Sequence, residues 1–127
     1  MTESPAWPTE LRVSADRKTM HIAFDDGYSG TIPAELLRVR SPSAEVQGHS
    51  PSERKTVPGK SQVMILSVEP VGNYAIRIRF DDMHDSGIYG WPLLRRFASE
   101  GAAIMAEYEA ELAEKGLSRD PKILLRR

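Results

Sequence analysis

The residues with the greatest chemical potential sit in one short stretch, where His84 stands among Asp81, Asp82 and Asp85, with Tyr89 and Trp91 just beyond. An imidazole beside carboxylates can ligate a divalent metal or act as a general acid–base pair. The same residue types are also ordinary turn formers, because their side chains hydrogen-bond the nearby backbone. A second imidazole, His49, lies far upstream in a polar region. Together, His84, His49 and Asp81 would suit zinc or iron if the fold joined them. No spacing demands this, and a solvated loop accounts for His49 more simply. His21 alternates with Met20 and Ile22 and reads as a surface residue of a strand.

The elements that must position these groups are two apolar strands, Ile65–Val71 and Tyr74–Phe80, joined by a tight turn at Gly72-Asn73. A second turn at Asp81–His84 leads to the short segment Ser86–Tyr89 and to Trp91. Upstream, Leu11 and Val13 alternate with Arg12 and Ser14, which predicts a strand with one buried face. A turn over Ala15–Lys18 returns the chain along Met20–Phe24, and Asp25-Asp26-Gly27 supplies the positive φ of a second hairpin into Tyr28–Ile32. Pro33–Val39 then gives one or two helical turns, with proline at a permitted first-turn position.

Residues 40–60 are rich in Pro, Gly and Ser and show no period. An irregular loop of about 20 residues is usually functional or disordered. It is locally basic through Arg38, Arg40, Arg54, Lys55 and Lys60, with no interleaved aromatics for stacking nucleotide bases. Beyond Trp91, Pro92 opens a helix. Gly101, Ile104, Met105, Tyr108 and Leu112 form an amphipathic stripe, and Gly116 is placed to end it. Ser99 and Gly101 either break or kink that helix. The expected fold is α+β: one small domain over residues 9–116, antiparallel hairpins packed with a C-terminal amphipathic helix. Residues 1–8 form a flexible start and residues 117–127 a flexible tail.

The whole chain sets outer bounds. Its 127 residues allow a single core, and a formal net charge of −1 gives no electrostatic case for nucleic acid or an anionic membrane. Cysteine is absent, which removes disulfides, thiolate nucleophiles and Cys-based zinc or iron–sulfur sites, and sits comfortably with a reducing cytoplasm. No apolar run approaches the ~20 residues of a membrane helix, and the start lacks a secretory leader. The chain also lacks a Gly-rich phosphate loop, a Gly-x-Ser-x-Gly elbow and a His-Glu-x-x-His pair. The expectation is a cytoplasmic protein, monomeric or weakly dimeric.

Several segments occur in an order that resembles a known family: Trp7-Pro8, Leu36-Leu37-Arg38, Ser41-Pro-Ser-Ala-Glu-Val, Pro70-Val-Gly-Asn-Tyr-Ala and His84-Asp-Ser-Gly-Ile-Tyr-Gly-Trp. The chain is similar to the DUF971 family, the γ-butyrobetaine hydroxylase-like N-terminal domain, in its stand-alone bacterial form. The resemblance implies an accessory domain. In the γ-butyrobetaine and trimethyllysine dioxygenases it precedes the catalytic barrel, and elsewhere it accompanies an iron–sulfur-carrier type ATPase. The dioxygenase version implies a structural zinc held by three cysteines and a histidine. Those cysteine positions fall here on Ser41, Ser43 and Val46, and the histidine on His84.

Valine cannot coordinate a metal and serine hydroxyls are poor zinc ligands, so no zinc or other cofactor is expected. His84 should instead hydrogen-bond across to the Ser41–Val46 loop. The His-x-Asp/Glu element of an oxygenase is absent as well.

The functional expectation is a non-catalytic adaptor acting through an unidentified protein partner. Its surface would comprise Asn73, Asp81, Asp82, His84, Asp85, Tyr89 and Trp91. The alternative is a metal- or iron–sulfur-linked accessory protein, holding metal transiently through His49, His84 and nearby carboxylates.

Overall fold

The computed structural model describes residues 6–121. Three consecutive strands, β1 (Pro8–Val13), β2 (Thr19–Phe24) and β3 (Ser29–Pro33), form an antiparallel meander. Its register places Met20 opposite Ile32 and Ile22 opposite Gly30. Strict alternation along β2 buries Met20, Ile22 and Phe24 and leaves His21 and Ala23 half-covered. A second meander of β4 (Ile65–Val71), β5 (Ala75–Phe80) and β6 (Ile88–Gly90) repeats the plan, with Ile76, Ile78 and Phe80 turned inward. The expected strands are therefore present, each within a residue or two of its anticipated ends.

The two sheets meet at the β1–β2 turn. There Arg17 has a left-handed backbone, φ 62°. Its carbonyl accepts the Ile65 amide at 2.8 Å, and its guanidinium returns hydrogen bonds to the Ile65 and Leu66 carbonyls at 3.2 and 3.1 Å. One residue thus fastens the first meander to the edge strand of the second.

A single helix, α3 (Trp91–Glu114), lies over both sheets and buries Leu94, Phe97, Ile104, Tyr108 and Leu112. Pro92 occupies its first turn, where a missing amide costs nothing. Neither Ser99 nor Gly101 interrupts it. At Gly101 a side chain would touch only Leu36, at 3.6 Å, and the packed stripe on either side outweighs the weak helix preference of glycine, about 1 kcal/mol against alanine. Gly30 of β3 lets the helix approach closely, since a Cβ there would stand 3.3 Å from the Ala98 carbonyl. The helix ends in a Schellman motif: Gly116 (φ 67°) donates to Ala113 and Leu117 to Leu112.

Two expectations need correction. The region 40–60 is more ordered than its composition suggests. After α1 (Ala34–Val39) the chain forms a short helix, α2 (Ala44–Gln47), capped by the Ser43 hydroxyl, and a 3-10 turn at Pro51–Glu53. Val46 is buried and anchors the segment. The first part of the expected loose tail, residues 117–121, is also held against the domain. Ser118 and Arg119 carbonyls accept the Gly59 and Ser61 amides at 2.9 and 3.0 Å. Arg119 also clamps the buried Glu35 carboxylate with two hydrogen bonds, 2.6 and 2.8 Å. Residues 1–5 and 122–127, the outer parts of the expected flexible ends, lie outside the described residues.

Candidate functional site

The end of α1 and the start of α2 bring Ser41, Ser43 and Glu45 against the β5–β6 connection, which carries His84 and Ser86. His84 Nε2 lies 2.9 Å from Ser41 Oγ, and His84 Nδ1 lies 3.0 Å from Glu45 Oε2. A carboxylate only accepts, so Nδ1 carries a proton and donates to Glu45, while Nε2 shares its hydrogen bond with the Ser41 hydroxyl. Ser41 Oγ in turn accepts the Ser43 amide at 3.3 Å, Ser43 Oγ accepts the Glu45 amide at 3.1 Å, and the Ser43 and Ser86 hydroxyls share a 2.6 Å hydrogen bond. The expected link from His84 across to the Ser41–Val46 loop is present.

The order Ser41–His84–Glu45 has the connectivity of a nucleophile, base and orienting acid. Its exposure runs the wrong way for that chemistry. Ser41 is 0% exposed, so no acyl group can reach its hydroxyl, whereas the Glu45 side chain is 69% exposed. A working relay buries the acid and presents the nucleophile. The backbone is moulded around the serine as well: a Cβ at position 87 would fall 2.4 Å from Ser41 Oγ, so Gly87 leaves the hydroxyl just enough room.

The Ser41, Ser43, Val46 and His84 set also fails to fit a zinc ion. Val46 offers no lone pair, and Ser41 Oγ already satisfies His84 and the Ser43 amide. Among the described residues, no three His, Cys, Asp or Glu side chains converge as a ligand set. His49 is exposed, and its amide donates to Glu53 at 2.6 Å.

The remaining residues of the expected surface separate into two groups. Asp82 is a structural anchor, accepting Arg38 Nε at 2.7 Å, Lys60 Nζ at 2.6 Å and the His84 amide at 3.1 Å. Burial pushes its carboxyl up, but the hydrogen bonds from Lys60 and Arg38 more than reverse this and hold it at about 2. Tyr89 and His84 are buried and cannot belong to an exterior patch, which corrects their assignment. The Tyr89 hydroxyl donates to the Leu37 carbonyl at 2.5 Å, and burial raises the phenol well above its ordinary range. Its place on β6, opposite Ile76, turns it toward the core. Asn73, Asp81 and Asp85 are exposed. Trp91 is half-buried, and its indole donates to the Asn73 carbonyl at 2.9 Å.

One residue that pattern reading passed over is Met83. It sits at the tip of the β5–β6 turn with φ 73° and is 63% exposed. Its amide donates to the Phe80 carbonyl at 3.0 Å, and the Phe80 amide closes the turn on His84 at the same distance. The available signal was a bulky apolar residue in a short polar turn, where glycine or asparagine usually supplies the positive φ.

The model of the domain described as gamma-butyrobetaine hydroxylase-like, N-terminal, matches residues 11–95. Two proteins solved by NMR in solution are similar over nearly their whole lengths. One is 40% identical with a TM-score of 0.81, covering 98% of each chain. The other is 39% identical with a TM-score of 0.78, covering 100% of this chain and 96% of its own. A crystal structure from Acidithiobacillus ferrooxidans, of a DUF971 protein with unknown function, is 35% identical with a TM-score of 0.59. That match covers 70% of this chain and 89% of that one. No protein of curated function matches the chain. The model match over residues 11–95 and the 35% identity to a DUF971 protein over 70% of this chain lead to one conclusion: the chain belongs to the γ-butyrobetaine hydroxylase-like N-terminal domain family, DUF971.

Proposed function

We propose that this domain is a non-catalytic accessory module that works through contact with a protein partner, and that Met83 is the anchor of that contact. A methionine held in the left-handed region carries a backbone cost of roughly 1–2 kcal/mol, and its exposed thioether gains nothing from the fold. Strain of this kind persists where the surroundings hold it, and the turn is held by Asp82 with Arg38 and Lys60. An adaptable apolar side chain on a rigid support, flanked by exposed Asp81, Asp85 and Ile88, has the make-up of an interface hot spot with a polar rim. The inaccessible Ser41 argues against acyl-transfer chemistry at the neighbouring network.

Met83→Gly separates binding from folding, because glycine relieves the positive φ while deleting the thioether. Proteins that co-purify with the wild-type domain from native cells should be recovered at least about tenfold less well with the variant. Equal recovery would remove this surface from consideration. Alanine at His84 or Tyr89 would be a poor probe, since both are structural.

The family position occupied by cysteines elsewhere is proposed to work here without metal, its ligand shell replaced by the Ser41–His84–Glu45 network. Elemental analysis of untagged protein tests this. Stoichiometric zinc, lost on His84→Ala, would overturn it.

A further inference from the structure

We propose that the cleft between residues 40–54 and α3 binds a carboxylate carrying a short aliphatic arm. This site is separate from the Met83 turn and does not depend on it. The cleft has a volume of about 240 Å³ and is lined by Arg40, Arg54 and Arg96 together with Leu93, Phe97 and Ile104. By the liquid share of about 30 Å³ per water, this is room for roughly eight waters, enough for a small acid. The lining carries three guanidinium groups and one carboxylate, Glu107.

Arg40 supplies the strongest indication. Its side chain is only 5% exposed, so its charge is withdrawn from water and must be matched by acceptors. Nη2 bonds Glu111 at 2.6 Å, but Nη1 has no hydrogen-bond partner among the described residues. A guanidinium has five donors, and this one has donor capacity that the protein leaves unmet. Glu107 is the nearest further anion, yet it reaches Arg40 only at 3.6 Å, beyond hydrogen-bond range, and its side chain is 56% exposed. Arg54 is shared between Glu107 at 3.0 Å and Glu111 at 2.8 Å, and Arg96 meets Glu100 only at 3.6 Å.

Glu107, bonded to Arg54 at 3.0 Å but short of hydrogen-bond contact with Arg40, is therefore an internal competitor standing where an incoming carboxylate would dock. Guanidinium forks match the planar carboxylate, and the Leu93, Phe97 and Ile104 wall calls for an apolar arm that inorganic phosphate lacks.

The test is titration of the intact protein with hexanoate, hexan-1-ol and inorganic phosphate, followed by amide resonances of Gln47, Arg54, Phe97 and Ile104. Hexanoate should move these resonances saturably, and hexan-1-ol and phosphate should not. Arg96→Gln, at a side chain 58% exposed, should weaken hexanoate by about fivefold. Glu107→Gln removes the competitor and should tighten binding by about threefold. Equal shifts with hexan-1-ol, or unchanged affinity in Glu107→Gln, would overturn the proposal. An N-acetyl-leucine arm identifies the source. Tighter binding than hexanoate supports a peptide C-terminus as the ligand, and weaker binding supports a free acid.

Discussion

Ser41 and His84 are joined by a 2.9 Å hydrogen bond across 43 residues of chain, and the serine is wholly shielded from water. The bond ties the α1–α2 junction to the β5–β6 turn, so its strength should appear in global stability. Ser41→Ala and His84→Ala should each cost about 1–3 kcal/mol, because the first strands the buried His84 Nε2 and the Ser43 amide and the second strands the buried Ser41 hydroxyl. In urea denaturation of both single variants and the double variant, the coupling should be about 1 kcal/mol. A coupling indistinguishable from zero would mean that the two segments hold together without this bond.

Gly87 provides a steric version of the same experiment. A methyl group at this position would fall 2.4 Å from Ser41 Oγ, so Gly87→Ala should destabilise by about 1–3 kcal/mol. Deleting the obstructing oxygen with Ser41→Ala should return part of that loss in the double variant. Thermal melting of the pair decides it, and strictly additive losses would place the strain elsewhere.

Asp82 makes acid sensitivity predictable in sign. Its carboxyl is held at about 2 in the folded protein, against about 4 in an unfolded chain. A depressed folded value contributes stability that is fully present above pH ~4 and is lost as pH falls toward ~2. The contribution of this one carboxylate is about 2 kcal/mol by the same linkage. Asp82→Asn should be less stable at neutral pH and should show a flatter stability profile between pH ~4 and ~2. Denaturation midpoints at a series of pH values measure this directly, and parallel profiles for the two proteins would refute it.

Much of the fold was legible because β2, β5 and α3 each show a clear period. Met20, Ile22 and Phe24 alternate, and Leu94 through Leu112 follow the helical stripe. What local pattern could not reveal was long-range pairing. Arg119 on Glu35 and Ser118 beside Gly59 order a tail whose composition looks loose. Val46 is a single apolar residue in a polar segment, yet it anchors α2. At the site, a hydrogen bond from His84 to the Ser41–Val46 loop was anticipated, whereas the burial of Tyr89 was not. Tyr89 shares a three-residue strand with exposed Ile88, too short for alternation to assign its faces. Met83 escaped notice because its importance lies in a backbone angle, which residue type does not disclose.

The Arg17 latch also bears on how the molecule comes together. Each meander is built from consecutive strands joined by short turns, so each can form from contacts close in sequence, the kind that assemble quickly. The Ile65 amide bond to Arg17 belongs to neither meander and exists only once they have docked. That single amide therefore marks the junction of two locally assembled halves. Its protection from hydrogen exchange reports the moment they become one cooperative unit, separately from the formation of either sheet.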